Sequence, residues 1–301
     1  MGNGGIGSSL GLLIGGWLTT MISWRAGFLI NVPVALMLLW LTSRFIPSDS
    51  VNHKSQPPID IIGASLSIIG LISFVYGLVG DRIQMLWVVF GIVMLLLFVY
   101  QEHRTSQPLL ALELFKNRDR TSAYLMRLLF MMAMLPYWFL LPQMMQAQYH
   151  FTALQSGMAF LPLTLVNFIV AMRLPDITAK FGSNQTLVFG ELFLLVGLAW
   201  TAWMDFSQGY VIAIALPMLV IGLGQGLILA PVTALGVVDT SAELAGIASG
   251  VTNTMHQIGG PIGLSVMLLV QGNLHVSLWI MAFFTLIALI IGINVTYHTK
   301  K

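Results

Sequence analysis

The sequence contains no cysteine, which excludes disulfides, thiolate metal sites and cysteine nucleophiles. It is almost as poor in charge. Asp, Glu, Lys and Arg together supply 8% of its 301 residues, against roughly 25% in soluble domains, too few to cover a water-facing surface. The net charge of +2 is spread along the chain and makes no basic stripe for nucleic acid. Walker A, G-x-S-x-G and H-E-x-x-H sequences are missing, as are paired histidines at metal-ligand spacing. Neither an enzyme nor an ATP-driven pump is expected, and no cofactor or metal is implied. No positive segment precedes the first apolar run, so no cleavable signal peptide is expected.

What the chain has in quantity is apolar sequence: 57% of residues, with a mean hydropathy of +0.88. That composition predicts a polytopic, all-α membrane protein whose outer face meets lipid. A bilayer core of about 30 Å takes about 20 apolar helical residues. By that measure ten runs qualify: 4–22, 27–45, 61–80, 85–101, 123–145, 156–172, 186–204, 210–230, 245–270 and 276–297. They are continuous rather than alternating, which excludes a barrel; helices then satisfy the backbone in lipid.

Ten of the 13 Lys and Arg residues fall on the side of the amino terminus, two (Arg25 and Arg82) on the other, and Arg127 lies within a span. That asymmetry places both termini in the cytoplasm. Two polar stretches divide the chain into 1–45 with two spans, a linker at 46–60, a helix pair at 61–101, a cytoplasmic loop at 102–122 and six spans in 123–301. Within the second loop, the amphipathic run Leu109–Phe115 predicts an interfacial helix.

Several motifs agree in order and spacing. "GIGSSLGLLIGGWL" (5–18) followed by "SWRAGFLINVPVALML" (23–38) resembles the fifth and sixth helices of major facilitator superfamily transporters. More narrowly, it is similar to the fourteen-helix drug:proton antiporter subfamily. "LPQMMQAQYHFTALQSGMAFLP" (141–162) and "AGIASGVTNTMHQIGGPIG" (245–263) resemble that subfamily's ninth-to-tenth helix turn and its thirteenth helix. The resemblance implies a major facilitator-type helical bundle lacking the first four helices. It implies efflux of amphipathic drugs or small molecules across the cell's inner membrane in exchange for protons. The other expectation is a truncated, non-transporting remnant, or a half-transporter whose partner supplies the missing amino-terminal helical half.

Against this family pattern, Gly7, Gly11, Gly15 and Gly16 match the antiporter motif G-x-x-x-G-P-x-x-G-G, with Leu12 at the proline position. Small residues every fourth position also let another helix backbone approach closely. Ser249, Asn253, His256, Gln257 and Gly260 share one helical face, which predicts either a substrate pathway or interhelical hydrogen bonds; His256 is a candidate proton carrier. Gly259 and Gly263 predict close packing.

Two charged residues sit inside apolar runs. Arg127 is expected to snorkel to the cytoplasmic surface. Glu191 either binds cations or protons within its span or marks a helix that begins later. Asn31, before Pro33, and Gln143, after Pro142, add polar amides at helix kinks and, with Glu191, are further candidates for the transport pathway. Most of the 18 methionines read as apolar filler, though some could line an adaptable pocket. "MRLPDITAKFGSNQ" (172–185) reads as a loop that keeps little of the family's charged motif.

The charge asymmetry makes a topological prediction. A tag attached after Lys301 should be accessible only from the cytoplasm in protease-protection experiments, and periplasmic accessibility would overturn the loop assignment.

Overall fold

The computed structural model describes residues 14–15, 17, 21–45, 60–78, 84–105, 109–110, 112–270 and 273–298. Regular structure among them is entirely helical: α1 (Trp24–Leu29), α2 (Asn31–Phe45), α3 (Ile61–Leu78), α4 (Met85–Arg104), α5 (Arg118–Tyr149), α6 (Ala153–Met158), α7 (Leu161–Phe181), α8 (Ser183–Trp203), α9 (Leu216–Leu235), α10 (Ala242–Leu269) and α11 (Leu274–His298). Eight described segments are long and apolar enough to cross a membrane. At 28 residues α10 is long enough too, but its run of Thr252, Asn253, Thr254, His256 and Gln257 makes it more polar than those eight. The expected first span, 4–22, lies mostly outside the described residues.

Three segments differ from expectation. Helix α5 runs 32 residues, capped by the Asn117 side chain, which accepts from the Arg120 amide at 3.1 Å. Pro136 and Pro142 lie within it without ending it. Residues 172–181 continue α7, and Gly182, at φ 81°, makes the turn. A helical proline forfeits a backbone hydrogen bond, yet α7 passes through Pro175, and the Thr178 hydroxyl donates to the Leu174 carbonyl at 2.9 Å.

The run expected as an interfacial helix instead contains a 3-10 helix at Leu112–Lys116. Leu114 is fully buried with Tyr124, Ala248 and Val251. Arg120 pins this segment by donating from Nε to the Leu114 carbonyl (2.8 Å) and from Nη1 to the Val238 carbonyl (3.2 Å). Those bonds fix its apolar side on the bundle rather than on the headgroups.

Helices α5 and α7–α11 build one bundle, with α9 between α7 and α8, α11 along α8 and α5, and α10 along α5. The inward stripe of α5 is Met126, Phe130, Met134, Tyr137, Leu141 and Met145, all buried; its steps of three and four keep it on one face. It joins Leu187, Leu194 and Leu198 of α8 in the core.

Lipid supplies little hydrophobic drive between helices, so close approach decides packing. A Cβ on Gly224 of α9 would lie 2.6 Å from the Leu194 nitrogen and 2.8 Å from the Gly190 oxygen of α8. At Gly259 and Gly263 of α10, a Cβ would run into the backbone of α5 at Leu128 and Met132. The close packing expected of that pair is therefore present.

Helices α3 and α4 pack on each other, and the pair touches α10, where the Ser265 hydroxyl donates to the Leu78 carbonyl at 2.7 Å. Helix α2 buries none of its residues among those described.

Gly263→Leu should force α10 away from α5 and destabilise the bundle by about 1–3 kcal/mol, read as a lower Tm in detergent. Gly250→Ala, on the same helix with no described atom near its added Cβ, should leave Tm unchanged or raise it.

Candidate functional site

A cavity of about 1290 Å³ lies among α5, α7, α9 and α10, with Ser183 at the start of α8 on its edge. Much of its wall is apolar, including Phe130, Trp138, Phe160, Leu163 and Met172. A large apolar pocket carrying a few convergent polar groups is the usual form of a small-molecule site.

Packing explains how the polar groups arrive there. Gly222 and Gly226 flank Gln225 and bring α9 tightly against Leu163, Val166 and Val170 of α7. That approach lets Asn167 Nδ2 donate to Gln225 Oε1 at 3.2 Å. Gln225 Nε2 in turn donates to Met134 Sδ at 2.7 Å. The Thr164 hydroxyl is occupied within its own helix by the Phe160 carbonyl at 3.1 Å. This amide pair fixes a polar strip on an otherwise apolar wall.

A second polar group comes from the α5–α10 seam. Because Gly259 packs on Leu128, His256, one turn earlier on α10, opens onto the same cavity as Arg127 of α5. Both line the cavity. Arg127 Nε and Nη1 and His256 Nδ1 are buried and have no hydrogen-bond partner among the described residues.

Of the residues singled out from sequence for a transport pathway, His256 lines this cavity. Ser249, Asn253 and Gln257 form an exposed stripe on α10 outside it. Asn31 and Gln143 donate to carbonyls of their own neighbourhoods, Phe28 (3.2 Å) and Phe139 (3.1 Å). Glu191 is fully buried in the core beside the leucine stripe of α8 and is absent from the cavity wall. Neither of its carboxylate oxygens has a hydrogen-bond partner among the described residues. Gly7, Gly11 and Gly16 lie outside the described residues, and a Cβ on Gly15 would meet no described atom.

Sequence reading missed Arg127, Asn167 and Gln225 as wall residues. Arg127 was expected to reach the cytoplasmic surface, but its helix begins at Arg118 rather than near 123, which leaves it deeper in the bundle. For the two amides a signal existed. Each is a lone amide in an apolar run, and Gln225 sits within "GLGQG" (222–226); buried amides in such runs need an internal partner.

The family model described as Major Facilitator Superfamily matches residues 2–264. The chain is 29% identical to a cephamycin export protein of Amycolatopsis lactamdurans, over 89% of the chain and 57% of that protein. It is 29% identical to a puromycin resistance protein of Streptomyces alboniger, over 87% of the chain and 54% of that protein. To a multidrug resistance protein of Mycobacterium tuberculosis it is 27% identical, over 87% of the chain and 49% of the relative. The chain thus spans about half the length of the curated relatives it matches.

An isolated buried carboxylate costs far more than a neutral amide. Glu191→Gln should therefore keep Tm within a few degrees of the parent or raise it, about 1 kcal/mol at most in either direction. A large fall would mean that a charged partner holds the carboxylate.

Proposed function

The chain belongs to the Major Facilitator Superfamily, and from that premise we propose that it serves an exporter of amphipathic small molecules driven by proton exchange. The observation that carries this reading is the cavity. It is large enough for a drug-sized molecule, has an apolar wall for the molecule's body, and presents the Asn167–Gln225 pair and the Arg127–His256 pair to its polar end. The names of the relatives, export of cephamycin and resistance to puromycin or to several drugs, point to the same substrate class.

Transport in this reading proceeds by rocking of one helical bundle against another around the cavity. Helices α5 and α7–α11 form one of these bundles, and residues 1–45 contribute the last two helices of the other. Residues 61–101 are the inserted pair of the fourteen-helix subfamily. The assembly sits in the cytoplasmic (inner) membrane with both termini in the cytoplasm. Glu191 is the candidate carrier for the coupled proton. A buried acid whose oxygens have no hydrogen-bond partner among the described residues can be accommodated by holding a proton. Its separation from the cavity wall would keep that proton apart from the substrate.

A second reading is favoured by two exposed surfaces: the polar stripe Ser249, Asn253 and Gln257, and α2, which buries none of its residues. A polar stripe at membrane depth is costly against lipid and calls for water or another helix. On this reading the chain transports only beside a partner that supplies further amino-terminal helices.

The test is flux through vesicles holding the purified chain, with an imposed pH gradient and fluorescent amphiphiles of both charges. Export requires gradient-dependent flux that a protonophore abolishes, and Glu191→Gln should lower it by about 100-fold or more. Flux that appears only on co-reconstitution with an amino-terminal six-helix segment selects the second reading. No flux in either arrangement would remove transport as the activity of this chain.

A further inference from the structure

The chemistry of the cavity wall is lopsided. Among the described residues it carries a guanidinium and an imidazole but no aspartate or glutamate. Arginine offers five N–H donors and no acceptor. Here Nε and Nη1 are buried and without a hydrogen-bond partner among the described residues, and so is His256 Nδ1. The acid closest in sequence to the α7 wall residues, Asp176, is largely exposed and lies 3.9 Å from Arg173. Glu191 lies in the core behind the wall. Two basic side chains therefore line the same space, with no acid among the described residues of its wall.

Removing a cation from water is costly unless an anion or hydrogen-bond acceptors replace the water. Among the described residues no anion lines the cavity and no acceptor bonds Arg127 Nε or Nη1, so a ligand is left to supply the compensation. A ligand with a positive head would meet Arg127 with no carboxylate to offset it. One with a carboxylate, sulfonate or phosphate head can take charge-assisted hydrogen bonds from the part of the Arg127 guanidinium that opens onto the cavity. Meanwhile, Trp138, Phe160 and Leu163 would receive its apolar body.

We propose that this cavity selects amphiphiles with an anionic head, seated on Arg127 and His256, over cationic ones of the same size. The assignment rests on reading the cavity as a ligand site, but it does not depend on proton coupling or on flux. The Asn167–Gln225 pair, already hydrogen-bonded across α7 and α9, holds the opposite wall and does not discriminate charge. Arg127 is thus the specificity-determining residue, and His256 supports it.

The test is equilibrium binding to the full chain in phosphatidylcholine nanodiscs, using three probes that share one ring system: 1-naphthylacetate, 1-naphthylacetamide and 1-naphthylmethylammonium. The acetate should bind about tenfold or more tighter than the ammonium compound, the usual scale for a charge-assisted hydrogen-bonded pair. Arg127→Gln should remove that preference and leave acetamide affinity within about twofold, which also shows that the variant is folded; Arg127→Lys should restore part of it. His256→Gln should weaken acetate binding less than Arg127→Gln does.

Doping the discs with phosphatidylglycerol separates two sources of the anion. Loss of acetate binding on doping assigns the seat to a lipid phosphate, and unchanged binding assigns it to a soluble ligand; both support an anion seat. Equal or tighter binding of the ammonium probe overturns the proposal, as does an acetate affinity that survives Arg127→Gln. Absence of binding by all three probes overturns it together with the ligand-site reading, whereas a failure of flux alone leaves it standing.

Discussion

Hydrocarbon offers a helix no hydrogen bonds and little reason to leave lipid for a neighbouring helix. Close backbone approach therefore carries much of the burden of holding this bundle together. Three glycine seams do that work: Gly190 and Gly224 between α8 and α9, Gly222 and Gly226 between α9 and α7, and Gly259 and Gly263 between α10 and α5. Each brings the helices to distances that even a methyl group would violate. In water such glycines would weaken a helix by about 1 kcal/mol each; in lipid the contacts they permit offset that loss.

The cavity depends on the same seams. The α9–α7 contact sets Gln225 opposite Asn167, and the α10–α5 contact opens His256 onto the same cavity as Arg127. A polar side chain that would be costly against lipid is thereby given a partner or an interior space. The two ionisable environments that result are different. Arg127 and His256 share a cavity, while Glu191 is fully buried away from it. The first arrangement favours recognition of charge from outside. The second, on the proposed reading, is where a proton is held within the bundle.

Much of the architecture was legible in the sequence because membrane helices announce themselves by composition. Nine of the ten expected spans correspond to described helices. The misjudged boundaries have local causes. The stretch 172–181 looked like a loop because it is polar and contains Pro175, but proline removes a single donor and the helix continues to Gly182. The run Leu109–Phe115 looked interfacial because amphipathicity cannot say whether an apolar face meets lipid or protein; burial of Leu114 against Tyr124 and Val251 decided for protein. Most methionines near the centre of α5 are core filler, as Met126, Met134 and Met145 show.

The site was less legible, and α10 explains why. Ser249, Asn253, His256 and Gln257 look like one polar face when laid on a helical wheel. In the bundle, His256 turns into the cavity while the other three remain exposed. The four residues lie within about 100° of one another around the helix, so spacing does not separate the two fates; the way α10 meets its neighbours sets them. By itself, then, the sequence determined that the chain is helical and membrane-spanning, roughly where its spans run, and which small residues could bring helices together. Those properties reside in local composition and spacing. Which polar groups share a cavity, and which acid is sealed away from it, was decided by tertiary structure, because it depends on the relative rotation of helices far apart in the chain.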